Sequence, residues 1–231
     1  MYIPDGVISG RMAAASGVVS LSALSASLVH GARRLRERQI PIIGLVAAFL
    51  LIAQTIHIPL GAGVSAHLLG GALVAILLGP WIGFLVVATA LLLDAGGLGH
   101  GGVTTLGANV ALTGLIEGIG SYLLFRVLVT LLPRTRKGFL TATAITTWTT
   151  ALVAAAVGSA LITYGGSLGT QRILLVFTTV VGFQAAVGIL QAVITTVAVG
   201  AVMAARPDLM ATRHLLPVPS ADPDPAAHLA E

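Results

Sequence analysis

The chain has 231 residues, 56% of them hydrophobic and 9% charged, with a formal net charge of +4 and a mean hydropathy of +1.00. An ordinary soluble domain carries roughly 25% charged residues, so composition excludes a soluble globular fold and puts this chain in lipid. The Arg excess lies in short clusters between apolar runs, which excludes a nucleic-acid footprint; the absence of cysteine excludes disulfides, thiolate metal sites and thiol nucleophiles.

Met1 to Gly10 has no basic n-region and contains Pro4 and Asp5, so no secretory signal is expected and the mature chain is expected to begin at Met1. Roughly 20 apolar residues cross a hydrocarbon core. The first such run covers about Met12 to Ala32 and ends at Arg33, Arg34, Arg36 and Arg38; the second is about Ile40 to Ile56. A turn over Ile58 to Gly63 leads to a third run, Val64 to Leu78, which Gly79-Pro80 breaks before a fourth from Trp81 to Leu93. Asp94 to Gly102 is Gly-rich and without apolar periodicity. The fifth run, Thr105 to Leu132, stops at Pro133-Arg134-Thr135-Arg136-Lys137, and the sixth covers Phe139 to Tyr164. A loop from Gly165 to Gln171 precedes the seventh, Ile173 to Ala205, which is long enough to tilt. From Arg206 to Glu231, Pro, Asp and Ala predict a disordered tail.

The expected fold is therefore an all-α integral membrane protein of about seven transmembrane helices. Nine Lys and Arg fall on one side of these runs (Arg33, Arg34, Arg36, Arg38, Arg134, Arg136, Lys137, Arg206, Arg213), and only Arg11 and Arg172 on the other. By the positive-inside rule the first side is cytoplasmic, which puts the C-terminus inside and Met1 outside, with His57, His67 and His100 in or beside outer segments.

His67 opens the third run, and an ionisable ring at a span's edge faces the protein interior or a cavity. It is either a neutral imidazole ligand for a transition metal or a histidine hydrogen-bonded to a loop carbonyl. Met1-Tyr2-Ile3-Pro4-Asp5-Gly6 has turn chemistry, and a free Met1 amine on the same side as His67 is a second nitrogen donor; the alternative is a frayed terminus. Glu117 lies roughly 15 Å or more into the fifth helix, either as a functional carboxyl or as a partner to a neighbouring helix. Asp94 sits at the outer mouth, and the Thr-rich patch from Thr141 to Thr150 is helix-packing material. Gly165-Gly166-Ser167-Leu168-Gly169 and Gly97-Leu98-Gly99-His100-Gly101-Gly102 match hydrolase and dinucleotide patterns but lack the strand-turn-helix context that gives those motifs meaning.

Five segments together resemble the CbiM/NikM family, the substrate-binding membrane components of cobalt and nickel energy-coupling factor transporters. They are Met1 to Gly6, Val64 to Gly71, Gly79-Pro80-Trp81, His100 to Asn109, and Arg206-Pro207-Asp208-Leu209, in the family's order. The resemblance implies a site built from the N-terminal amine, the backbone nitrogen and imidazole of a histidine at position 2, and a histidine matching His67. Position 2 here is Tyr2, whose phenol cannot supply that imidazole nitrogen, so His57 or His100 is the expected replacement donor. Gln184 and Gln191 likewise stand where the family commonly has His and Glu.

The expectation is a single transmembrane substrate-binding domain over residues 1–205 and a cytoplasmic tail over 206–231, in a bacterial-type inner membrane. Its role is substrate capture for a divalent cobalt or nickel importer, with the metal as transported ligand, no resident cofactor and no catalysis by this chain. The resemblance implies a transmembrane coupling component and two cytoplasmic ATPases as partners. Rival expectations are capture of a non-metal solute, suggested by Tyr2, and an intramembrane hydrolase using Ser167 or Glu117.

Overall fold

The structure, a computed structural model, describes residues 3–33, 35, 37–55, 57–61, 64–67, 70–98, 102–165 and 173–216. Helices α1 (Gly10–Ala32), α2 (Ile40–Gln54), α3 (Gly71–Leu78) and α4 (Pro80–Leu93) form the first half of the chain. A rod follows, made of α5 (Leu106–Val110), a π-helical stretch Ala111–Gly120 and α6 (Ser121–Leu131). Two long helices, α7 (Arg136–Gly165) and α8 (Ile173–Ala205), complete it.

Among the described residues, five apolar segments are long enough to cross a bilayer: α1, the helix running through α4 to Gly97, the rod from Leu106 to Leu131, α7 and α8. α2 is a shorter apolar helix of 15 residues. The third expected span differs from the sequence reading. Val64–His67 is a strand, β2, paired antiparallel with β1 (His57–Gly61), and the helix that follows has only eight residues, about 12 Å of rise. This hairpin lies against α8, and its backbone groups pair across the ribbon.

All eight residues of α3 are buried, so this short helix is one that the others surround. Gly79 has φ +86°, a left-handed value that favours glycine, and lets the chain turn directly from α3 into Pro80 at the start of α4. α1 crosses the rod closely enough that a Cβ on Gly107 would lie 2.5 Å from the Gly17 Cα, and the Ser20 hydroxyl donates to the Gly107 carbonyl at 2.6 Å. Thr143, Thr147 and Thr150 of α7 donate back into their own helix, as Thr147 does to Thr143 O at 2.8 Å, while Ser121 and Thr150 hydroxyls meet between helices at 2.7 Å. Trp148 staples α7 to α8 by donating to Ala185 O at 3.0 Å.

One apolar cluster, with Leu50, Leu77, Phe84, Phe125, Phe139 and Met210, fills the half nearer Arg33 and Arg213, called here the basic end. A second, with Ile3, Ile8, Leu112, Ile162 and Val180, fills the opposite half. Val18, Leu21, Val127, Leu131 and Val197 stand exposed on the outer surface, where a bilayer covers them. The expected disordered tail is ordered through residue 216. Turns at Pro207–Leu209 and Arg213–Leu215 dock it on α3, with Ala211 N–H donating to Leu77 O at 2.7 Å, Thr212 Oγ1 donating to Ile76 O at 3.0 Å, and Met210 buried. Burial of Met210 and Thr212 with these two hydrogen bonds holds a segment that composition alone reads as unstructured. Residues 217–231 lie outside the described residues.

Candidate metal-capture site at the N-terminal end

The first described residue, Ile3, is fully buried opposite the basic end. Its N–H donates to Asn109 Oδ1 at 2.8 Å, and its carbonyl accepts from Asn109 Nδ2 at 3.1 Å and from Thr105 Oγ1 at 2.5 Å. The backbone groups dictate the orientation of the Asn109 amide, since an N–H only donates and a carbonyl only accepts. Two residues on, Asp5 accepts from the Thr104 N–H at 2.8 Å, the Val103 N–H at 3.2 Å and the Thr104 hydroxyl. The Thr104 hydroxyl foremost, with the backbone N–H groups of Thr104, Val103 and Thr105, holds the Asp5 carboxyl below its ordinary value against a smaller opposing desolvation. Ser9 N–H then donates to the Gly165 carbonyl at 2.5 Å, tying the segment to the end of α7. The start of the chain is thus clasped at both ends of a tight turn, with Gly6 at φ +79°.

In the hairpin, the backbone register makes His57 and His67 direct partners, on the same half of the molecule as the clasp. The strand ending at His67 leads within four residues to Gly71, which sits against Glu117. A Cβ on Gly71 would lie 2.7 Å from Thr113 O and 2.9 Å from the Glu117 Cβ. Glu117 is buried on the π-helical stretch, where the wider turn is a feature of functional sites, and Gln191 Nε2 donates to its Oε2 at 3.3 Å. Gln184 lies two turns before Gln191 on the same face of α8 and is 1% exposed; Gln54, ending α2, is 0% exposed. Neither of these two amides has a hydrogen-bond partner among the described residues. Buried amides are normally paired, so these interior groups are suited to meeting a polar guest or water.

Of the donors expected from sequence, the structure brings His57 and His67 together through backbone register and anchors the segment that carries Met1 and Tyr2. Met1, Tyr2 and His100 lie outside the described residues, as does Ser167. Among the described residues no group of three His, Asp or Glu side chains gathers to hold a metal. Asp94, expected at the outer mouth, is 1% exposed. Sequence reasoning passed over Asp5, Thr104, Thr105 and Asn109 as functional residues. Their signal was present: an Asp inside a turn and a Thr-Thr-x-Gly-Ala-Asn run, both polar pieces beside apolar spans.

A family model described as the cobalt uptake substrate-specific transmembrane region matches residues 2–209. A protein of Haloquadratum walsbyi named for metal transport is 31% identical over 217 residues, covering 92% of this chain and 94% of that protein. A protein of Archaeoglobus fulgidus bearing the name of a fused nickel transport protein is 32% identical over 212 residues, covering 91% of this chain and 68% of its own. The crystal structure of a truncated transition metal transporter superposes with a TM-score of 0.81 at 23% identity, over 88% of this chain and 99% of that one, which establishes a common fold.

Proposed function

The chain belongs to the family of cobalt-uptake substrate-specific transmembrane regions, and from that premise we propose that it captures cobalt or nickel at the end opposite its basic face and passes the ion to an energy-coupled importer. The basic end is cytoplasmic in this proposal, because positive loops stay inside. A transmembrane coupling component and two ATPases supply the ATP chemistry, since this chain carries no phosphate-binding Gly-Lys-Ser/Thr motif.

The observation that carries the proposal is the clasp on Ile3. Four hydrogen-bonding partners far along the chain, Val103, Thr104, Thr105 and Asn109, hold residues 3–5 in one geometry. Most chain ends fray; a buried, doubly hydrogen-bonded one suits an end that carries a ligand. The donor set is the Met1 amine with His67 and His57, and His100 is the reserve from the outer loop. Nitrogen donors of this kind favour late first-row divalent ions. Tyr2 lowers the donor count relative to the family pattern, so Tyr2→His strengthens nickel binding. A second reading, capture of a neutral polar solute, is favoured by the unpartnered Gln54 and Gln184 amides.

The test is metal accumulation in cells lacking their own cobalt and nickel uptake, supplied with this chain and its coupling and ATPase partners. Accumulation above the partner-only control, lost in His67→Ala, supports metal capture. Accumulation equal to that control, with a nitrogenous solute taken up instead, supports the second reading.

A further inference from the structure

The basic end holds a cavity of about 510 Å³ where the α1 end, the α3–α4 turn and the docked C-terminal turns meet. Arg33, Arg213 and His214 line it, with Trp81 and Tyr122 at its wall. Asp208 also lines it, but accepts a bidentate pair from Arg206, with Nε and Nη2 each at 3.0 Å. Arg213 is near enough to Asp208 to lower its carboxyl further. Among the described residues neither Arg33 nor Arg213 has a carboxylate at ion-pair distance, so two guanidinium groups face one already neutralised acid. Trp81 stacks on His30 with ring centroids 4.8 Å apart, and Trp and Tyr are the side chains that favour the headgroup level.

A second cavity of about 430 Å³ adjoins the first, with Leu35 and Ile82 in both linings. It is an apolar groove between α1, α2 and α4 that runs to Leu93 at its far end. The eleven steps from Ile82 to Leu93 rise about 16 Å, close to half of a ~30 Å hydrocarbon core. Its length is that of one leaflet. A transmembrane helix would need the groove to continue through both leaflets.

We propose that the two cavities together hold one anionic glycerophospholipid, its phosphate between Arg33 and Arg213 and one acyl chain along the α1–α2–α4 groove. Basic pockets between membrane helices on the cytoplasmic side attract such headgroups, and here the headgroup pocket adjoins a chain-length groove. The site is remote from the N-terminal clasp, so it stands or falls apart from the metal reading.

The test uses the full-length chain, delipidated in detergent, with retention of added lipid read by native mass spectrometry. Dioleoyl phosphatidylglycerol is expected to be retained over dioleoyl phosphatidylcholine. Arg33→Gln and Arg213→Gln are each expected to reduce that retention about five-fold, and the corresponding Lys variants to recover most of it. Ala47→Phe, which fills the groove wall without touching a charge, is expected to reduce it too. Equal retention of the two lipids overturns the proposal. So does competition by glycerol phosphate as strong as by the intact lipid, or unchanged retention in Ala47→Phe, because either result leaves no acyl chain in the groove.

Discussion

Asn109→Ala removes the side chain that both donates to and accepts from Ile3. Two hydrogen bonds of 2.8 and 3.1 Å disappear. The Ile3 carbonyl keeps Thr105, but its N–H is left buried with no acceptor. A net hydrogen bond contributes about 1 kcal/mol and an orphaned buried donor costs about 1–3 kcal/mol, so the clasp should weaken by roughly 2–4 kcal/mol. At about 1.4 kcal/mol per decade, opening of the N-terminal segment becomes at least ~30-fold more frequent. Hydrogen exchange read at the Ile3 and Asp5 amides should accelerate by that factor while amides within α7 and α8 stay protected. Metal affinity should fall with the docked fraction, since only that fraction binds. Asn109→Asp is the sharper control. It keeps an acceptor for the Ile3 N–H but turns a second oxygen on the Ile3 carbonyl, and should weaken the clasp nearly as much. Unchanged exchange in both variants would mean that the terminus is held by apolar burial of Ile3 alone, and the hydrogen-bonding argument would be wrong.

Gly71→Ala places a methyl group 2.7 Å from Thr113 O and 2.9 Å from Glu117, so thermal unfolding should show about 1–3 kcal/mol of destabilisation. The Asp5 carboxyl, held below its ordinary 3.8, stabilises the clasp above that pH and loses the contribution as pH falls through its lower folded value. Exchange at Val103 and Thr104 should therefore rise below about pH 3.8 in the native chain and be flatter with pH in Asp5→Asn. The chain has no cysteine, so single cysteines report topology directly: a membrane-impermeant reagent in intact cells should label position 97 and not position 135.

The helical membrane class and six of the seven apolar segments were legible in the sequence, because lipid exposure demands long apolar runs. α3 was not. Val64 to Leu78 is apolar throughout, and a continuous run does not distinguish a buried strand from a buried helix; the Gly70-Gly71 pair was the sign of the change. The clasp was hidden for another reason: its hydrogen bonds join residues about a hundred positions apart, which no local pattern records. Asp5 and Asn109 were visible as parts of family segments, but their pairing with the chain end is tertiary. The tail escaped for the opposite reason, since Pro and Asp mask the short Met210–Thr212 stretch that docks it.

The most direct test of metal capture is equilibrium binding of nickel and cobalt to the purified full-length chain, with bound ion measured by mass spectrometry across pH. One ion per chain should be retained near neutral pH and released as the imidazoles protonate toward about pH 5.5. His67→Ala, or a single residue added before Met1, should abolish retention. A native chain that holds neither ion, together with a Tyr2→His variant that holds none either, would contradict the account.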